Sequence, residues 1–209
     1  MPGSYLPSLE GYVRQLMGWR EFVRGLYHNF SKQMETENFW NSNRRLKACW
    51  WEGTTGLKPV DDTIRKALRY GYVHHIERLM ILGNIFNLVT ASPHEVYRWF
   101  MELFVDSSDW VMQANVYGMA LMSDGGIFAT KPYICGSNYI LKMGDWPKGE
   151  WCEILDGLYW SFIERHQEFF YSNARMKMMV GGLHRIDKDK FKRIQSKAME
   201  FIERTTFPA

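Results

Sequence analysis

Residues 8–30, SLEGYVRQLMGWREFVRGLYHNF, decide the fold class. Apolar side chains recur at Leu9, Tyr12, Val13, Leu16, Val23, Leu26, Tyr27 and Phe30. That three-and-four spacing marks one face of a helix. Arg20 interrupts the stripe where a leucine would be expected, and a half-buried arginine needs an acidic or phosphate partner. The same period returns along the chain. A helix over about 62–88, capped by Asp61 or Asp62, carries Ile64, Ala67, Leu68, Tyr72, His75, Ile76, Leu79 and Met80 on its stripe. Ser92-Pro93-His94-Glu95 has the spacing of a capping box with proline at the first helical position. The helix it starts buries Val96, Trp99, Phe100, Leu103 and Phe104. Residues 105–137 read as short helical pieces and loops, followed by helices over about 150–171 and 188–204. Strand alternation is scarce. The expectation is an all-α fold, a single helical domain over 1–209 of roughly seven or eight helices.

Composition bounds the function. Of 209 residues, 46% are hydrophobic and 16% aromatic, enough for a real core, which excludes a disordered chain or a disulfide scaffold. A net charge of +3 is too weak to imply nucleic-acid binding by itself. Three scattered cysteines, Cys49, Cys135 and Cys152, point to a reducing compartment and expect a cytoplasmic location. No apolar run approaches the 18 or so residues a membrane span needs, and no partner membrane is expected. The start MPGSYLPSLEGY lacks the pattern of a signal peptide. Phosphate-loop, dinucleotide, zinc-protease and serine-hydrolase motifs are missing. Nine Trp, eleven Tyr and thirteen Phe make a chain that packs around rings and can bind one.

Charged residues on apolar stripes need a reason. His75 lies on such a stripe, with His74 beside it and Arg78 three positions on. It reads either as a buried histidine bonded to a carbonyl or as part of a His-His-Arg cluster facing a cavity. Asp106 and Asp109 follow a helix end where carboxylates are unfavourable unless a cation meets them. Arg78 is a candidate cation for that role, the alternative being solvated loop residues. Trp99 and Trp51 read either as core packing or as electron-hopping stations.

At these residues the chain resembles a known family. LEGYVRQLMGWREFVRGLY, YVHHIERLMILGN, EVYRWFMELFVDSSDWVMQANVYGMALMSDGG and TKPYICGSNYILKM, in this order, resemble the C-terminal part of the helical FAD-binding domain of photolyases and cryptochromes. The match is close to the branch of iron–sulfur bacterial cryptochromes and (6-4) photolyases. The resemblance implies FAD as cofactor, damaged DNA as partner, and light-driven repair of pyrimidine dimers, with (6-4) photoproducts as the substrate. It implies His75, His74 and Tyr133 as catalytic, and Arg20, Arg78, Asp106, Asp109 and Asn115 as cofactor-binding. Trp99 and Trp51 match positions proposed to carry electrons to the flavin. A proton-donating His75 would favour a raised pKa. Basic residues in 175–193 would hold DNA phosphates.

Departures from the branch carry their own expectations. Its iron–sulfur ligand positions fall at Pro59, in Trp146-Pro147-Lys148-Gly149-Glu150 and near Glu153, so no [4Fe–4S] cluster and no other metal is expected. Met112 stands where some relatives carry glutamate. Family members are about twice as long. The antenna domain and the diphosphate cradle that precede these motifs in the family are not expected in this chain, and without them a weak hold on FAD and a homodimer through exposed apolar surface are expected. A cryptochrome-like photoreceptor without repair, and a non-catalytic helical module, are the alternatives.

Overall fold

The computed structural model describes residues 5–208. The chain opens with one continuous helical rod: α1 (Leu6–Val13), a π-helical segment (Arg14–Trp19) and α2 (Arg20–Thr36). The stripe read from the sequence is covered over only half of this rod. Val23, Leu26 and Met34 are buried against Ala114 and Tyr117. Leu9, Tyr12, Leu16 and Trp19, on the same face one to four turns earlier, are exposed. Arg20 is exposed too, with its guanidinium 5.8 Å from the Trp110 ring, so it has no need of the buried partner the stripe suggested.

α3 (Cys49–Glu52) and α4 (Lys58–Tyr70) follow a polar loop. α4 begins earlier than the acidic residues suggested, because Pro59 presets the first turn. Asp61 instead binds the preceding loop, accepting from the Thr55 and Gly56 amides at 2.7 and 2.9 Å. The single helix expected over 62–88 is two. Gly71, at φ +63°, ends α4 in the left-handed conformation and donates its amide to Ala67. Residues 72–74 are non-helical, and a second helix runs over 75–88. Its middle is a π-helical segment (Glu77–Gly83), and it ends as α5 (Asn84–Leu88). The break turns Tyr72 and His75 out of the core, and both are exposed.

α6 (Pro93–Leu103) starts where its proline predicts, but Ser92 makes no side-chain cap. Glu95 is drawn away to the Leu46 amide and to Arg98, so the capping box is not formed. α7 (Asp109–Gln113) runs into a third π-helical segment (Ala114–Ala120). After a glycine-rich loop come α8 (Ser137–Met143), α9 (Glu150–Arg165), α10 (Gln167–Ser172), α11 (Lys177–Leu183) and α12 (Lys188–Thr205). The helix expected over 150–171 breaks at His166 into α9 and α10. The breaks and short pieces make the helices more numerous than the seven or eight expected.

The main core lies between α9, α12, α5 and α6, around Trp50, Phe86, Trp99, Phe162 and Phe201, all at most 1% exposed. One two-residue ladder, Arg45–Leu46 against Thr206–Phe207, ties the chain's end to the loop before α3. The fold is helical, and among the described residues no helix is long and apolar enough to cross a membrane.

Candidate functional site: a cavity between three π-helical turns

The three π-helical segments meet at one cavity of about 600 Å³. Gln15 and Trp19 come from the first, Arg78 and Leu79 from the second, and Asn115, Val116, Met119 and Ala120 from the third. A π-turn widens a helix by one residue and displaces a side chain from the regular stripe, and such turns recur at functional sites. Phe100 and Met112 complete an apolar wall, while Tyr72, His75 and Asp106 line the opening.

The polar edge is organised by Arg78. Its terminal nitrogens donate in parallel to the two Asp106 oxygens at 2.9 and 3.0 Å. Its Nε donates to the Val73 carbonyl at 2.9 Å. Its guanidinium lies 4.2 Å from the Phe104 ring centroid and 4.8 Å from that of Tyr72. A two-pronged arginine–carboxylate pair fixed on both faces is geometrically rigid. Three positions before it in the chain, His75 is accessible at the rim. Enclosure by the cavity wall lowers its pKa, and the neighbouring charges of Arg78 and His74 lower it further. That is the reverse of the raised value expected for a proton donor. Asn115 donates its Nδ2 to the Val111 carbonyl at 2.8 Å, which leaves its Oδ1 as an acceptor at the cavity.

The other residues singled out from the sequence lie elsewhere. His74 opens onto a second cavity of about 620 Å³, among Lys66, Glu77 and Trp146. Asp109 is turned away from the first cavity. It accepts from Tyr27 Oη at 2.6 Å, from Tyr97 Oη and from Gln113. Burial pushes its carboxyl up, but these three donors outweigh that and hold its pKa below the ordinary value. Arg20 faces solvent beside Trp110. Tyr133 is half-buried on the loop before α8, outside both cavity linings.

Trp99 is buried, with its indole N–H on the Trp50 carbonyl at 2.9 Å. Its ring lies 5.2 Å from Phe100, which lines the cavity. Trp51 sits near the surface, bonded to Glu102 at 2.7 Å. The sequence reading missed Trp50, which is fully buried 4.6 Å from Phe86, itself 5.0 Å from Trp99. Nothing in a Trp50-Trp51 pair says which ring turns inward until α3 is placed against α6.

At the positions the branch uses for cluster thiolates, Pro59 is buried in α4, Trp146 donates its indole N–H to Asp62 at 2.9 Å, and Glu153 pairs with Arg193 and Lys197. All three cysteines are free thiols on separate elements. These side chains do not supply the thiolates a [4Fe–4S] cluster needs.

The cavity chemistry suits a flat aromatic heterocycle with polar atoms on one edge. It is less suited to a diphosphate. Among the described residues the one arginine or lysine in its lining is Arg78, already committed to Asp106.

Residues 12–145 match the family described as the FAD binding domain of DNA photolyase, and the chain belongs to that family. It is similar to a (6-4) photolyase of Agrobacterium fabrum, with 34% identity over 212 residues, 97% of this chain and 42% of that protein. It is 46% identical over 98 residues to an uncharacterized protein of Acanthamoeba polyphaga mimivirus, covering 46% of this chain and 80% of that one. It is 26% identical over 134 residues to the mitochondrial deoxyribodipyrimidine photo-lyase of Saccharomyces cerevisiae, covering 60% of this chain and 23% of that one. The chain thus spans less than half the length of either photolyase.

Proposed function

We propose that the cavity receives the flavin ring of FAD, and that this chain forms the flavin- and lesion-facing part of a light-driven repair enzyme for pyrimidine dimers of the (6-4) kind. The observation that carries this reading is the Arg78–Asp106 fork on the wall of an apolar cavity with His75 at its rim. When bound and reduced, the flavin would supply the electron on absorbing light. The protein's own groups do the rest. Leu79, Met112, Val116 and Phe100 exclude water from the ring site. The fork presents a fixed dipole to the ring edge, and Asn115 Oδ1 offers an acceptor for a ring N–H. The lowered pKa of His75 favours its neutral form, with one nitrogen protonated and one free. A polyanionic DNA strand carrying a flipped-out lesion raises imidazole basicity as it approaches, which readies His75 to give a proton. Arg175, Lys177, Arg185 and Lys188, all exposed, would meet DNA phosphates in a salt-dependent way. Trp99, through Phe100, offers a path for electrons into the cavity.

A photoreceptor that keeps the flavin without repairing DNA is the second reading, favoured by the depressed basicity of His75. The purified protein, mixed with FAD and duplex DNA carrying a (6-4) photoproduct, is reduced with dithionite under anaerobic conditions and illuminated with blue light. Flavin absorption bound to protein and loss of the lesion are the results expected. Bound flavin with no loss of lesion supports the photoreceptor, and the absence of bound flavin overturns both.

A further inference from the structure

A third concavity, of about 310 Å³, lies where the loop after α2 meets the end of α9 and the last turns of α12, and it shares no residue with the other two. We propose that it is an anion site, which takes the phosphate group of a small phosphorylated ligand or of a nucleic-acid backbone. Among the described residues its two charged groups are both arginines, Arg44 and Arg165, with no carboxylate in the lining. Neither forms an ion pair among the described residues. Arg44 uses its Nε on the Thr206 hydroxyl at 2.7 Å, which leaves both terminal nitrogens for a ligand.

The neutral groups point the same way. Asn41 accepts from the Asn43 amide at 2.8 Å through its oxygen, which leaves its own NH₂ to donate. The Asn43 oxygen is taken by Asn38 at 3.0 Å. The free side-chain capacity around the concavity is therefore mostly donors beside two positive charges, which is what an oxyanion requires. The backbone is held under strain here. Asn41 and Thr90 have φ of 53° and 55°, and a β-branched residue adopts that region only when its surroundings impose it. The Thr90 carbonyl accepts the Arg44 amide at 3.1 Å, which couples the strained turn to the arginine. Next to these positions in the chain, the Ser42 hydroxyl is buried without a partner. Ile202 and Met199 add an apolar wall, which favours a phosphate ester over the bare ion. Two unpaired arginines in one concavity repel each other, and an anion between them removes that repulsion.

The test is calorimetric titration of the protein with inorganic phosphate, a 5′-mononucleotide and a short single-stranded oligonucleotide, at ionic strength held constant with chloride. Saturable binding is expected, tighter for the ester than for inorganic phosphate and at least about tenfold weaker in Arg165→Gln, the loss of one charged hydrogen-bonding partner. Arg165 is exposed and makes no side-chain hydrogen bond among the described residues, so an unchanged circular dichroism spectrum is expected for the variant. Arg165-dependent binding of the oligonucleotide identifies a backbone phosphate as the source, and of the mononucleotide alone a free ligand. Each of these supports the site. No saturable binding of any of the three, or binding indifferent to Arg165→Gln, overturns it. The flavin cavity is untouched by this variant, so the result is independent of the flavin reading.

Discussion

His74 and His75 are consecutive in the chain and open onto different cavities, His75 onto that of the Arg78–Asp106 fork and His74 onto that of Lys66 and Glu77. His74 lies in the non-helical link after α4 and His75 opens the next helix, and the two side chains diverge. His74 Nδ1 accepts the Ile76 amide at 3.2 Å, capping the helix that carries Arg78.

The two histidines are therefore separable. His75→Ala is expected to lower (6-4) repair about a hundredfold while FAD binding stays. His74→Ala is expected to cost about 1 kcal/mol of stability as a lost cap and to leave repair within about tenfold. Repair assays with FAD titrations on both variants check this, and equal loss of repair in the two would contradict it.

Asp106→Asn removes the carboxylate from the fork and frees the Arg78 guanidinium. The affinity for FAD is expected to fall about tenfold, the worth of one charge-assisted contact. Because Asp106 is about half exposed, global stability should change by no more than about 1 kcal/mol. Flavin fluorescence titration and thermal melting check the two halves of this prediction.

Gly157 sits where α9 crosses α12, and a Cβ there would stand 2.0 Å from the Ile194 carbonyl oxygen. Gly157→Ala is expected to destabilise by about 3 kcal/mol, lowering the melting temperature by roughly 10 °C. Gly181, in α11, has nothing within 4 Å of its would-be Cβ. Gly181→Ala is expected to stabilise by about 0.5–1 kcal/mol through the unfolded chain. Thermal melts of both variants check the contrast.

His166 stands between the rings of Trp40 and Phe162, 4.7 and 4.6 Å away, with its Nε2 buried and unpartnered. Burial, and then the Arg165 charge, push its pKa down to about 4. The unfolded chain takes up a proton near pH 6.5 that the folded one refuses until about pH 4. Stability is therefore full above pH 6.5 and falls with decreasing pH across that window, by roughly 1 kcal/mol per unit. His166→Phe should keep the aromatic cage and flatten that part of the profile. Denaturant melts between pH 4 and 7 check it, and an unchanged slope would contradict the assignment.

What could be read along the chain was its helical class and the residue types at the site. The apolar spacing of the helices is a property of neighbours three and four apart, so it is legible along the chain, as at Val96, Trp99 and Phe100. Its motifs also carried the family resemblance. Where the stripe failed, at Arg20, Tyr72 and His75, the cause was not local. A left-handed Gly71 broke one period into two, and the first helix is covered over only half its length. The meeting of Arg78 with Asp106, the turning of Asp109 toward Tyr27 and Tyr97, and the choice of Trp50 over Trp51 for the core were decided by the tertiary structure alone. Each depends on how separate helices are rotated against one another, and a side chain's partner 28 or 82 residues away leaves no mark on the spacing of its own helix.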